Sequence, residues 1–294
     1  MEDSLSDEKL QLVVAELREK LPPLEKKEWE GLEGFLFDDL ESDLELSFFV
    51  VGWSYDTEKA LAAVVQGRNL RKASAELAVA RTRIRQGEIK KLSDIPHRNE
   101  VAQYWEEDMI GESGVVAESG APFAFARVGE ADLYGLLANV EEKFFKLYMV
   151  YVFEFRLHKL EVWMKDRLKT PSAFTSRLPR FVDIHCLNCP RGILSTFSLS
   201  NISYFKWWTT ELGPCYPEQC SHVILVNCPY LFYGGWNLVK NWLPKRTQDK
   251  IAIYGSDIST WLQIKEWFGQ ECYKNVVVYL QKRKPEEVYK AGVI

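Results

Sequence analysis

Residues 216–254 read YPEQCSHVILVNCPYLFYGGWNLVKNWLPKRTQDKIAIY. Two short apolar runs lie in this stretch, His222-Val-Ile-Leu-Val-Asn227 and Lys250-Ile-Ala-Ile-Tyr254. Their length and β-branched content predict strands. Between them, Leu231 to Leu243 predicts a helix, and Pro244 stops it. Proline lacks the amide donor and clashes with the preceding turn.

The same alternation extends in both directions. Upstream, Asn201 to Leu212 reads as a helix and Arg180-Phe-Val-Asp-Ile-His-Cys186 as a strand. A long amphipathic helical region runs from Leu136 to Leu168, and Phe123-Ala-Phe-Ala-Arg-Val128 predicts another strand after the turn signal Gly120-Ala-Pro122. Downstream, Ser256 or Asp257 is placed to cap a helix that buries Trp261, Leu262 and Ile264. Strands alternating with helices predict an α/β domain built on a parallel or mixed sheet.

The first third has a different character. Leu10, Val13, Val14, Leu17 and Leu21 share one helical face, and Pro22-Pro23 ends that helix. Leu46 to Val51 is apolar. Asp56 or Thr57 makes an N-cap, and Leu61, Val64 and Val65 give the next helix a buried stripe. Residues 72–91 are polar, and Arg81, Arg83 and Arg85, spaced by two, read as a solvated helical face. We expect a helical domain over 1–92 and an α/β domain over 93–294, with no internal repeat.

Composition narrows the function. The chain has 294 residues, 47% of them hydrophobic, and a formal charge of −5. General nucleic-acid binding needs a basic face to meet phosphates, and this balance offers none. No apolar run reaches the roughly 18 residues of a membrane span, since Phe144 to Phe155 is broken by Lys146 and Glu154. The acidic start MEDSLSDEKL carries no secretory signal pattern. A cytosolic chain with reduced cysteines is therefore the expectation. Aromatics are abundant, with 10 Trp, 13 Tyr and 16 Phe. They suit a large core, a cavity lining or a membrane interface.

No P-loop, dinucleotide fingerprint or G-x-S-x-G elbow occurs. Cys186-x2-Cys189 and Cys215-x4-Cys220, with His185 and His222, have spacing a zinc site could use. Buried cysteine packing as a small apolar group is the preferred reading, so no metal is expected. His97 and His158 have no neighbouring nucleophile and read as structural or exposed. Glu141-Glu142, Asp38-Asp39 and the basic cluster Lys282-Arg-Lys284 read as solvated surface.

The 216–254 stretch resembles the core of the CRAL-TRIO lipid-binding family, in particular its yeast-type phosphatidylinositol/phosphatidylcholine transfer members. In that family a helix ends in Tyr-Pro-Glu. A strand ending in Asn-x-Pro follows, then an aromatic-rich helix, a short turn and a Lys-Ile strand. Tyr216-Pro-Glu218, Asn227-Cys-Pro229, Leu231 to Leu243 and Lys250-Ile251 follow that order. Weaker similarity covers Gly120-Ala-Pro-Phe, Phe181-Val-Asp-Ile184 and Leu46 to Leu61, so the resemblance spans about 35–270.

The resemblance implies a mixed sheet with flanking helices, an apolar pocket for one lipid, and helix 231–243 as its gate. A diacyl lipid has on the order of 30 methylenes, each costing about 0.8 kcal/mol to expose, so a carrier must enclose it and then open. Phe125, Phe181, Leu231, Phe232, Trp236 and Val239 are the implied gate and acyl-chain residues. Gly234-Gly235 lies inside the gate, where each glycine weakens a helix by about 1 kcal/mol. Glu218, Thr247 and Lys250 match the family's inositol-phosphate site. A cation and a hydroxyl suit a phosphate, and a carboxylate suits sugar hydroxyls. The implied protein is no enzyme. It is a monomeric carrier that binds a phospholipid, docks transiently on membranes and needs no cofactor beyond the lipid.

The chain also departs from the pattern. The family's basic pair before Tyr55-Asp56 is here Trp53-Ser54, which removes a charge from the phosphate site. The strand that reads the phosphatidylcholine head is Leu178-Pro-Arg-Phe-Val182, without hydroxyls. Val182 and Ile184 stand where haem-binding members carry their ligands, so haem is not expected. These departures leave open a different hydrophobe, such as another phospholipid, a sterol, a retinoid or a tocopherol. A zinc or thiol enzyme on the cysteine cluster is the remaining alternative.

Overall fold

The computed structural model describes residues 7–23, 41–105, 110–116, 122–168, 178, 180–189, 202–256, 265 and 270. In chain order the helices are α1 (Asp7–Lys20), α2 (Asp43–Gly52), α3 (Thr57–Lys72), α4 (Ala75–Ala78), α5 (Ala80–Arg85), α6 (Arg98–Ala102), α7 (Leu133–Asn139), α8 (Glu142–Leu168), α9 (Ile202–Trp207), α10 (Tyr230–Val239) and α11 (Lys245–Gln248). The strands are β1 (Ile110–Val116), β2 (Pro122–Ala126), β3 (Phe181–Cys186), β4 (Cys220–Val226) and β5 (Ile251–Ile253). Two compact units emerge. The first comprises residues 1–98, 142–179 and 207–219, and the second 99–141, 180–206 and 220–294.

In the first unit, α1, α2 and α3 share a core of Val14, Leu17, Leu46, Phe49, Val50, Ala60, Ala63 and Val64. The helices start where capping chemistry allows. Ser42 Oγ accepts from the Glu45 amide at 3.2 Å, and Asp56 Oδ1 accepts from the Lys59 amide at 3.0 Å. Each satisfies an orphan donor of the first turn. The turn joining α2 to α3 places two consecutive non-glycine residues in the left-handed region, Ser54 at φ 55° and Tyr55 at φ 65°.

One expectation is overturned in this unit. Arg81 is not on a solvated face but buried, and it meets two acids. Its Nη1 donates to Glu45 Oε2 at 2.6 Å and its Nε to Glu154 Oε2 at 2.7 Å. Arg71 donates from Nε to Glu154 Oε1 at 2.8 Å. The Tyr216 hydroxyl donates to the same oxygen at 2.7 Å. Two buried guanidiniums and two buried carboxylates thus balance each other, the arrangement that makes buried charge tolerable. Arg85 is also engaged, donating to Glu161 Oε1 at 2.8 Å. Only Arg83, paired with Glu88 at 2.8 Å, is an exposed pair of the expected kind. A second buried pair joins Arg68 Nε and Nη2 to the two oxygens of Glu41, each at 2.8 Å.

The second unit is built on a five-stranded sheet in the order β1-β2-β3-β4-β5. Strands β2 to β5 run parallel, and β1 pairs antiparallel with β2. The sheet is therefore mixed, as the alternation of strands and helices predicts. Strand β3 is central and almost wholly buried, as a strand covered on both faces must be. At its C-terminal end, Leu187, Leu225 and Cys228 form an apolar cluster joined by Val128, Val223, Phe232, Ile251 and Ile253. Phe232 attaches α10 to the sheet through this cluster. The helix expected after Ser256, with Trp261, Leu262 and Ile264, lies outside the described residues, as do Asp38-Asp39 and residues 282–284. Among the described residues, no helix is long and apolar enough to cross a membrane.

Candidate functional site

The implied head-group residues fall into two groups. In the first unit, Glu218 is 8% exposed and sits in the left-handed region at φ 60°. A glutamate adopts that conformation only where its surroundings hold it, and the neighbours supply the hold. Tyr216 is buried, its ring 5.3 Å from that of Phe153 and its hydroxyl on Glu154. Gln219 Nε2 donates to the Phe153 carbonyl at 3.1 Å. The residues before and after Pro217-Glu218 are thereby pinned to α8.

Electrostatics reinforce that anchor. Burial pushes the Glu154 carboxyl upward, but Arg81 and Arg71 outweigh burial and hold it far below its usual 4.5. Burial raises the Tyr216 hydroxyl well above its usual range, and the Glu154 charge adds to the effect. Tyr216 therefore stays a neutral donor and Glu154 an ionised acceptor, which makes the bond between them charge-assisted.

Thr247 and Lys250 lie together in the second unit. The Lys250 amide donates to the Thr247 carbonyl at 3.2 Å, closing the turn that leads from α11 into β5. Lys250 Nζ donates to the Cys220 carbonyl at 3.1 Å. That bond holds the ammonium beside the start of β4, and both residues are half-buried.

Trp53 and Ser54, which the resemblance sets at the family's basic pair, close α2. The Trp53 amide donates to the Phe49 carbonyl at 3.0 Å, and the indole packs against the α1–α2–α3 core. The Trp53 side chain is thus given to packing.

The gate residues occupy distinct environments. Phe181 is buried on β3. Phe125 lies on β2 opposite Ile184, its side chain outside the described residues. On α10, Phe232 packs on the sheet cluster, and Trp236 and Val239 are half-buried. Leu231 is 70% exposed and the adjacent Tyr230 is 90% exposed. Helix α10 therefore carries apolar surface on its sheet side and on its open side. A methyl added at Gly234 or Gly235 would meet nothing within 4 Å.

Of the cysteine cluster, Cys215 belongs to the first unit and donates to the Glu211 carbonyl. Cys186, Cys189 and Cys220 belong to the second, as does Cys228, which was not part of that cluster. Burial pushes the Cys215 and Cys228 thiols up to about 12, and Cys186 Sγ accepts from Asn227 Nδ2 at 3.2 Å. Among the described residues, no group of three or more His, Cys, Asp or Glu is arranged to hold a metal ion. His97 stacks on Phe144, centroids 4.1 Å apart, and His158 Nδ1 lies 3.9 Å from Glu161.

Comparison with solved structures finds the same fold in the crystal structure of Sfh5. The match has 13% identity and a TM-score of 0.53, and it covers 97% of this chain and 92% of that one. Residues 118–277, more than half of the chain, match the family described as the CRAL/TRIO domain. The chain belongs to the CRAL/TRIO domain family, whose members are lipid carriers.

Proposed function

We propose that this protein binds one phospholipid, phosphatidylinositol, in an apolar pocket closed by the helix over 231–243, and moves it between membranes. The observation that carries the reading is the two-sided apolar character of α10. Its Phe232 packs on the sheet cluster while Tyr230 and Leu231 stand open to solvent. Exposed apolar residues grouped on one turn mark an interaction surface, and tyrosine beside leucine suits a bilayer interface. In this reading Glu218 accepts from inositol hydroxyls, and Thr247 and Lys250 bind the phosphate. Phe181, Trp236 and Val239 line the acyl chains. The cycle needs a closed, loaded state and an open, docked state. It includes no catalytic step and needs no metal or partner protein. A monomer in the cytosol suffices.

The test is transfer of phosphatidylinositol between vesicles by the Glu218→Ala and Lys250→Ala variants. Each is expected to transfer it at least tenfold more slowly with an unchanged melting temperature. Wild-type transfer by both would remove the head-group assignment. Trp53, packed where the family places a cation, favours a second reading in which the pocket takes another phospholipid or a neutral hydrophobe. Equal transfer of phosphatidylcholine and phosphatidylinositol by the wild type would support it.

A further inference from the structure

Gly52 ends α2 directly beneath the Tyr216–Gln219 turn. A Cβ placed on it would lie 2.7 Å from Pro217 Cβ and 3.4 Å from Glu218 Cγ. Real Cβ atoms essentially never come that close, so any side chain at 52 must push the turn away. Among the described residues Gly87 is the only glycine with positive φ. Residue 52 therefore needs glycine for space, not for backbone conformation.

The turn cannot yield as a whole. Tyr216 is bonded to Glu154 and Gln219 to the Phe153 carbonyl. A push from residue 52 falls on the two residues between them, and Glu218 is already in a conformation that glutamate rarely adopts. The α2 side is equally fixed, since the Trp53 and Ser54 amides close it onto the Phe49 and Val51 carbonyls.

We infer that Gly52 is a positioning residue for head-group selection: its missing side chain is the seat that sets where the Glu218 carboxylate stands. This rests on the head-group reading of Glu218. A side chain at 52 leaves the charge of the site intact and moves it. Preference for a polyhydroxylated head over a choline head then falls, because the carboxylate no longer meets the sugar hydroxyls at hydrogen-bond distance.

The experiment uses the full chain and vesicles containing equal phosphatidylinositol and phosphatidylcholine. Protein is re-isolated as folded monomer, and the two bound lipids are quantified by mass spectrometry. Gly52→Ala is expected to lower the ratio of phosphatidylinositol to phosphatidylcholine about tenfold, the loss of one charge-assisted hydrogen bond. In a Glu218→Ala background the same substitution is expected to leave the ratio unchanged, because the effect passes through Glu218. If Gly52→Ala yields no folded protein, Pro217→Gly frees the same turn without adding an atom and should lower the ratio likewise.

A wild-type ratio in folded Gly52→Ala overturns the inference, as does a wild-type ratio in Pro217→Gly where Gly52→Ala does not fold. So does an equal fall in the presence and absence of Glu218. A wild-type ratio in Glu218→Ala alone removes the head-group reading itself, and the inference with it.

Discussion

Replacing Glu154 with Gln removes one of the two acids that neutralise Arg71 and Arg81. Glu154 accepts from Arg71 Nε at 2.8 Å, from Arg81 Nε at 2.7 Å and from the Tyr216 hydroxyl at 2.7 Å. The side chains of Arg71 and Arg81 are 2% and 4% exposed. After the substitution two guanidiniums share the single carboxylate of Glu45, leaving one positive charge uncompensated in a buried site. Breaking such a buried pair costs about 3–5 kcal/mol, and removing a bond to a charged group contributes about 1.5–3 kcal/mol of that. Urea unfolding followed by circular dichroism should show the loss as a lower midpoint. The double variant Glu154→Leu with Arg81→Met removes one charge of each sign and should recover at least half of it. A loss below about 1 kcal/mol for Glu154→Gln would show that water reaches the arginines, and the anchoring role given to the network would fail.

Acid should weaken the same network. Glu154 in the folded protein is held far below its usual 4.5, so its contribution is complete above pH 4.5 and is lost as pH falls below it. The melting temperature should drop between pH 5 and pH 3 and drop less steeply in Glu154→Gln; equal slopes would contradict the pairing. Alanine at Gly234 and Gly235 meets no steric obstacle and should stabilise α10 by about 0.5–1 kcal/mol per site. Hydrogen exchange of α10 amides should slow and lipid release with it, and unchanged exchange would count against a gate weakened by glycine. The Cys215 and Cys228 thiols, pushed up to about 12 by burial, are about one part in ten thousand thiolate at pH 8. Iodoacetamide should label them only after unfolding, and rapid labelling of either would show that it is not buried.

The parts of the fold that were legible in the sequence are those whose signal is local. Strands β2 to β5 are short β-branched or aromatic runs, and the α2–α3 boundary is marked by the Asp56 cap. Strand β1, Ile-Gly-Glu-Ser-Gly-Val-Val, was not, because its glycines and polar residues follow no period of two and its pairing slips between Glu112 and Val116. The predicted helix from Leu136 to Leu168 is interrupted at Val140 and Glu141, where α7 ends and α8 begins.

The arginines show the limit most clearly. Arg81 meets Glu45 and Glu154, 36 and 73 residues away, and spacing alone cannot reveal partners at that separation. A signal was present in Glu154 itself, a lone acid inside the apolar run 144–155. Such a residue must be paired wherever it is buried. The Gly52 seat is hidden for the same reason, since it depends on a turn 165 positions along the chain.

The claim that this protein carries a phospholipid is tested most directly by extracting the purified, folded chain and identifying what it holds by mass spectrometry, before and after incubation with phosphatidylinositol vesicles. The account predicts one phospholipid per chain, replaced by phosphatidylinositol after incubation. A chain that holds no lipid in either condition would contradict it.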